Sequence, residues 1–195
     1  MAESICSLVC IVLNGTFGSE TVPKIGKNFG VAEFSINFDR IKLIFNLKHD
    51  MKKLAIGVDI GGINTAFGLV DENGDLYAES VISTKKYPYV DDYPAYVEML
   101  VRTLRELCAA MPAGAVLSGI GIGAPNANYH TGRIERPVNL WKFRSGEPNP
   151  EEGRRFFSLC KEVGNSFPGI PVRITNDANA AALGEIAYGN AGGMR

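Results

Sequence analysis

Between residues 54 and 83, apolar positions come in short blocks separated by turn residues. "LAIGVD" (54–59), "NTAFGLVD" (64–71) and "DLYAESVIS" (75–83) each have the length and alternation of a strand, and Asp71-Glu72-Asn73-Gly74 supplies a hairpin turn between the last two. The pattern predicts three antiparallel strands in succession. After Pro88 and Pro94 the period changes: Tyr96, Met99, Leu100, Thr103, Leu104, Leu107 and Cys108 recur at helical spacing, predicting an amphipathic helix that ends before Pro112. "AVLSGIGIGAP" (115–125) has no polar alternation and predicts a buried central strand. A second helix is expected to carry Phe156, Leu159, Cys160 and Val163. A fifth strand follows at "PVRIT" (171–175), and a third helix at "DANAAALGEIAYG" from residue 177. The order is βββαβαβα, an α/β mixed sheet.

The chain divides near Met51. Residues 4–13, "SICSLVCIVL", are apolar over about half the length that a membrane-spanning helix needs. As a leader the segment has Glu3 where a basic start belongs, and no small-residue cleavage site follows it. The Asn14-Gly15-Thr16 sequon is therefore without consequence. Residues 34–47 alternate with period 2 and predict one or two strands, which could add an edge hairpin. Met51-Lys52-Lys53 directly before a strand resembles a natural start. Residues 1–50 are accordingly read as an extension, and 51–195 as the functional unit.

Bulk properties exclude some classes. The 195 residues are 46% hydrophobic, enough for a sizeable core, and the expected product is a soluble, cytoplasmic globule. A formal charge of −1 without blocks of like charge gives no footprint for nucleic acid or an anionic membrane. Cys6, Cys10, Cys108 and Cys160 are spaced for neither a zinc site nor a disulfide scaffold and are read as reduced core thiols. His49 and His130 have no second ligand at metal spacing.

Two stretches can carry chemistry. In "DIGG" a strand ends at Asp59 and is followed by Gly61 and Gly62. Glycines tolerate positive φ and lack the Cβ that would hold a bulky anion away, so backbone N–H groups can point at phosphate. Asp59 would repel phosphate oxygens, but suits a magnesium ion or its water shell. The plainer reading is a hairpin turn. In "ITNDANAAALGE" (174–185), Asn176 and Asp177 stand where a strand gives way to a helix whose Ala178, Ala180, Ala181 and Ala182 permit close packing. The plainer reading here is a helix N-cap, worth about 1 kcal/mol.

Taken together, "DIGGINTAFGLVDENG", "GIGAPNANYHTGRIERPVNL" and "ITNDANAAALGE" resemble, in order, the first phosphate loop, the Gly-x-Pro to Asn-Leu segment and the catalytic strand and helix of the ROK family of sugar kinases and related repressors. That family lies in the actin, hexokinase and heat-shock ATPase superfamily. The resemblance runs from Leu54 to the end of the chain. It implies a ribonuclease-H-like (actin-like ATPase) lobe, with Asp177 as the catalytic carboxylate and Asn139 and Asn176 contacting sugar hydroxyls. Asp59, Gly61, Gly62, Asn64 and Thr65 would line the phosphates, with Asp59 holding Mg²⁺ through water. The implied activity is ATP-dependent phosphorylation of glucose or a related hexose, in a full-length form that could be a homodimer.

Three departures from the family pattern are visible. Ile63 stands where the family has threonine, so a hydroxyl is missing unless Thr65 substitutes. Asn126 follows Pro125 where glycine is usual, and asparagine best tolerates the left-handed backbone a glycine would take. The sequence ends before the second lobe, where a further phosphate loop, a Glu-x-x-His sugar contact and a structural zinc site would lie. The alternatives are a truncated, non-catalytic or merely sugar-binding protein and, below it, a repressor, for which residues 1–50 lack a basic helical pair.

Overall fold

A computed structural model describes residues 51–135, 140–144 and 156–180. Strands β1 (Lys53–Ile60), β2 (Asn64–Asp71) and β3 (Leu76–Ser83) pair antiparallel in succession, with Val58 opposite Phe67 and Phe67 opposite Ser80. Gly74 takes φ 86° in the turn joining β2 to β3, a conformation that only glycine adopts without strain. Two 3-10 turns, Thr84–Lys86 and Val90–Asp92, lead into helix α1 (Tyr93–Ala109). This helix starts three residues before the predicted Tyr96. Pro94 lies in its first turn, where a missing N–H costs nothing.

Strand β4 (Val116–Ala124) returns parallel to β1 and lies beside it. Then come three short strands, β5 (Ala127–Asn128), β6 (Arg133–Glu135) and β7 (Phe156–Phe157), which form a separate sheet of their own. Helix α2 (Leu159–Ser166) and strand β8 (Val172–Asn176) follow, with β8 parallel to β4, and a further helix begins at residues 177–180. The main sheet has the order β3-β2-β1-β4-β8. The predicted succession thus holds through the start of the third helix, while the small sheet is an addition. Phe156 is corrected: it pairs with Glu135 in β7, half exposed, and the helix begins at Leu159. The extension 1–50, Asn139 and the third helix beyond residue 180 lie outside the described residues. Among the described residues no helix is long and apolar enough to cross a membrane.

One face of the sheet carries the core. Alternation along β1 sends Leu54, Ile56, Val58 and Ile60 to the face covered by α1 and α2. In register with them lie Phe67 and Leu69 on β2, Ile120 and Ile122 on β4, and Val172 and Ile174 on β8. Tyr96, Leu100 and Leu104 of α1 and Leu159 and Val163 of α2 close over this row. Each such side chain contributes about 1.5–3 kcal/mol on burial. β1 has several of them and edge strand β3 has no buried residue, so the core depends on β1 far more than on β3.

The other face of the sheet is built from small residues: Gly68, Gly57 and Gly121 share one row, and Ala66, Asp59, Gly123 and Thr175 share the next. The first row ends in Glu79 on edge strand β3 and Arg173 on β8, and Asp59 is the carboxylate of the second, which fixes the side of the sheet on which any chemistry of this residue must occur.

Candidate functional site

The carboxyl ends of the parallel strands β1, β4 and β8 lie together, which is where open α/β sheets present a crevice to ligands. Asp59 is the next-to-last residue of β1, Gly123 and Ala124 end β4, and Asn176 ends β8 with Asp177 directly after it. Asp59, Gly123 and Thr175 share a row, so about 10 Å separates the outer two backbones, two strand spacings. Asp59 is half-buried and Asp177 exposed. Burial, and then the neighbouring Asp177 carboxylate, raise the pKa of Asp59 above the usual carboxylate value. The two acids therefore sense each other at one end of the sheet.

The loop between β1 and β2 is a tight hairpin. The Gly61 N–H donates to the Asn64 carbonyl at 3.0 Å, and the Lys85 N–H holds the Ile63 carbonyl at 3.0 Å. The expected use of positive φ is not what the structure shows, since neither Gly61 nor Gly62 adopts it. Glycine is needed at 61 for a different reason: a Cβ there would lie 3.1 Å from the Asn64 carbonyl oxygen across the turn. Gly62, Ile63 and Asn64 are exposed, Ile63 at 69%. Asn64 shares its side of the sheet with Ala66 and Asp59 by alternation.

Thr65 does not join them. It lies opposite Ile60, on the core face, fully buried, with its Oγ1 2.8 Å from both Thr84 Oγ1 and the Tyr96 hydroxyl. Its hydroxyl is spent in the core and cannot replace the one missing at Ile63. Tyr96 is expected in the apolar stripe of α1, but its link to Thr65, and that of Thr84, come from the structure. The available signal was that a tyrosine in the buried stripe of α1 needs a partner for its hydroxyl.

At the exit of β4, Asn126 takes φ 54°, the left-handed backbone expected of a residue standing in for glycine, and its carbonyl accepts the Glu135 N–H at 2.9 Å. At the exit of β8, the Asn176 Oδ1 accepts the Ala178 N–H at 3.0 Å and caps the helix that starts there. Asp177 Oδ1 lies 2.8 Å from the same N–H. The cap reading is thus correct for Asn176 and still leaves its NH₂ group for another partner. Beyond Asn139, which the structure does not describe, Leu140 and Trp141 are buried, and Trp141 stacks against Tyr93 (4.7 Å), Phe157 (4.6 Å) and Tyr96 (5.3 Å). Backbone bonds from Lys142 N–H to Pro88 and from Val90 N–H to Lys142 staple this segment to the approach of α1.

A magnesium ion is compatible with these donors. Asp59 offers hard oxygens, and the mutual repulsion of Asp59 and Asp177 is a field that a cation relieves. Among the described residues no cluster of three or more His, Cys, Asp or Glu is set to hold a metal, so phosphate and water would have to complete the coordination.

Comparison with known proteins agrees with this layout. Glucokinase from Streptomyces coelicolor is 34% identical over 142 residues, covering 73% of this chain and 38% of that protein. Among solved structures, a ROK family transcriptional regulator homologous to the Escherichia coli MLC protein matches with a TM-score of 0.55 at 18% identity, covering 70% of this chain and 31% of the other. The inorganic polyphosphate/ATP-glucomannokinase of Arthrobacter sp. strain KM matches with a TM-score of 0.50 at 22% identity, covering 73% of this chain and 51% of the other. At these identities the structural likenesses speak for the fold alone, and the chain spans only 38% of the glucokinase's length. Residues 55–195 match the ROK family, and the chain belongs to that family.

Proposed function

We propose that this chain forms the first lobe of an ATP-dependent hexose kinase. The observation that carries the reading is the pairing of Asp59 and Asp177 at one end of the parallel strands, each beside a strand terminus, with the Gly61–Asn64 hairpin alongside.

Asp177, exposed at the start of its helix, accepts the proton of a sugar primary hydroxyl. The sugar oxygen forms a bond to the γ-phosphorus of ATP, the bond from that phosphorus to the bridging oxygen breaks, and its electron pair leaves with ADP. The NH₂ group of Asn176, whose Oδ1 is taken by the cap, donates to a second sugar hydroxyl, and Asn139 supplies another contact. Gly62 and Ile63 at the hairpin tip present main chain to the phosphates, since the Gly61 N–H is spent inside the turn and Thr65 faces the core. Asp59 would hold Mg²⁺, and the bound ion would offset phosphate charge. The work left to the protein is chiefly positioning, and closure by a second lobe would exclude water from the crevice.

A coupled assay for ADP release across a panel of hexoses, run on the full-length protein, tests this. Asp177→Asn removes the proton acceptor while keeping its shape, and the rate should fall about 10²–10⁴-fold, the range for a general base. An unchanged rate would reject Asp177 as the base.

A further inference from the structure

We infer that Tyr96 is a positioning residue for the hairpin Gly61–Asn64, acting through the Thr65 hydroxyl. The inference rests on the reading of that hairpin as the phosphate loop. Tyr96 is fully buried in α1, and its hydroxyl lies 2.8 Å from Thr65 Oγ1, which in turn lies 2.8 Å from Thr84 Oγ1. These three residues sit where the hairpin is anchored. Thr65 is the next residue after Asn64, whose carbonyl receives the Gly61 N–H; Thr84 precedes Lys85, whose N–H holds the Ile63 carbonyl. Both main-chain bonds that shape the tip therefore have one of the linked hydroxyls in the adjacent residue.

The network is well suited to fixing a backbone. Each hydroxyl can donate and accept, all three groups are buried, and leaving one unpaired costs more than a typical bond contributes. A shift of β2 against α1 would break the Thr65–Tyr96 link without water at hand to replace it. Burial holds the Tyr96 hydroxyl in its neutral, donating form. The ring itself is clamped edge-on by Tyr87 at 5.7 Å and by Trp141 at 5.3 Å, so the hydroxyl is a fixed point rather than a mobile one. The clamp also means that Tyr96→Phe keeps the packing and removes only the hydroxyl.

Amide hydrogen exchange on the 195-residue chain tests the inference in the absence of any nucleotide. In Tyr96→Phe, protection of the Gly61 and Lys85 amides should fall about tenfold relative to Gly121 in the sheet centre, the loss expected for one buried hydrogen bond. Thr65→Val should reproduce the effect and Thr65→Ser, which keeps the hydroxyl, should restore protection. Unchanged protection at Gly61 and Lys85, a uniform loss that includes Gly121, or a Thr65→Ser variant that behaves like Thr65→Val would each overturn the role given to Tyr96. A loosened hairpin together with an undiminished rate of hexose phosphorylation in the full-length Tyr96→Phe enzyme would instead refute the phosphate reading of the hairpin.

Discussion

Asp71→Asn is the sharpest test of how the hairpin edge of the sheet is held. The Asp71 side chain is 2% exposed at the end of β2. Its Oδ1 accepts the N–H groups of Asn73 (2.9 Å) and Asp75 (3.1 Å), while Oδ2 accepts the Tyr77 hydroxyl (3.1 Å) and lies 3.0 Å from Lys52 Nζ. Burial alone would raise its pKa. The hydrogen bonds from Lys52, Asp75 and Asn73, with the Lys52 charge, outweigh burial and hold it below the usual value. Asparagine keeps the two amide contacts at Oδ1 but places an NH₂ group where Oδ2 was, facing the Lys52 ammonium. The surviving bonds lose their charge assistance, about 1 kcal/mol each. Lys52 is half exposed, so its share is discounted to under about 1 kcal/mol. The sum is a loss of about 2–3 kcal/mol, a large part of the stability of an ordinary domain.

Urea unfolding followed by the fluorescence of Trp141, the chain's one tryptophan and a buried one, measures this loss. The folded-state pKa of Asp71 is depressed, so its contribution is fully present above the unfolded value of about 3.9 and is lost as pH falls through the folded pKa. The gap between wild type and Asp71→Asn should therefore be complete at neutral pH and close in strong acid. A gap under about 0.5 kcal/mol at neutral pH, or one that persists undiminished to about pH 2, would refute the argument that the charged carboxylate holds this turn.

Two further substitutions probe the ends of the strands. Gly61→Ala places a methyl 3.1 Å from the Asn64 carbonyl oxygen, a backbone atom that yields only if the turn opens, so a loss of about 1 kcal/mol and faster exchange of the Gly61 amide are expected; an unaltered amide would show that the turn has room. Asn126→Val puts a β-branched residue at φ 54° and should cost about 1–3 kcal/mol in thermal unfolding, whereas Asn126→Gly should be close to neutral.

Much of this architecture can be read from alternation alone. β1, β2, β4 and β8 carry long apolar blocks whose faces sort by parity, and α1 shows an uninterrupted helical stripe. The small sheet could not be read that way, because strands of two or three residues have no period, and their pairing of Glu135 with Phe156 bridges a long stretch of chain. Phe156 fits the spacing of Leu159, Cys160 and Val163, so helical periodicity draws it into α2 although a distant strand claims it. Thr65 shows an error of another kind. Adjacency to the glycines suggests a phosphate contact, yet parity already separates it from Asp59: Asp59 and Ile60 point to opposite faces, and Thr65 lies across from Ile60. Asn126 was legible because left-handed backbone narrows the choice of residue.

The same parity explains why the two acids can be placed so firmly by a sheet and so poorly by loops. Asp59 belongs to a row that passes through Gly123 to Thr175, and Asp177 follows two residues later, beyond the last ladder pair of Ala124 with Asn176. Every link in that path is a strand register, and each register is locked by the apolar residues on the opposite face. Sliding β8 by one residue against β4 would carry Ile174 out of the core and Arg173 into it, a cost of several kcal/mol for a single step. The separation of the carboxylates is therefore inherited from the hydrophobic core and not from the crevice itself. Substitutions within the crevice should leave that separation unchanged, whereas core substitutions in β8 should alter it, even though they touch neither acid.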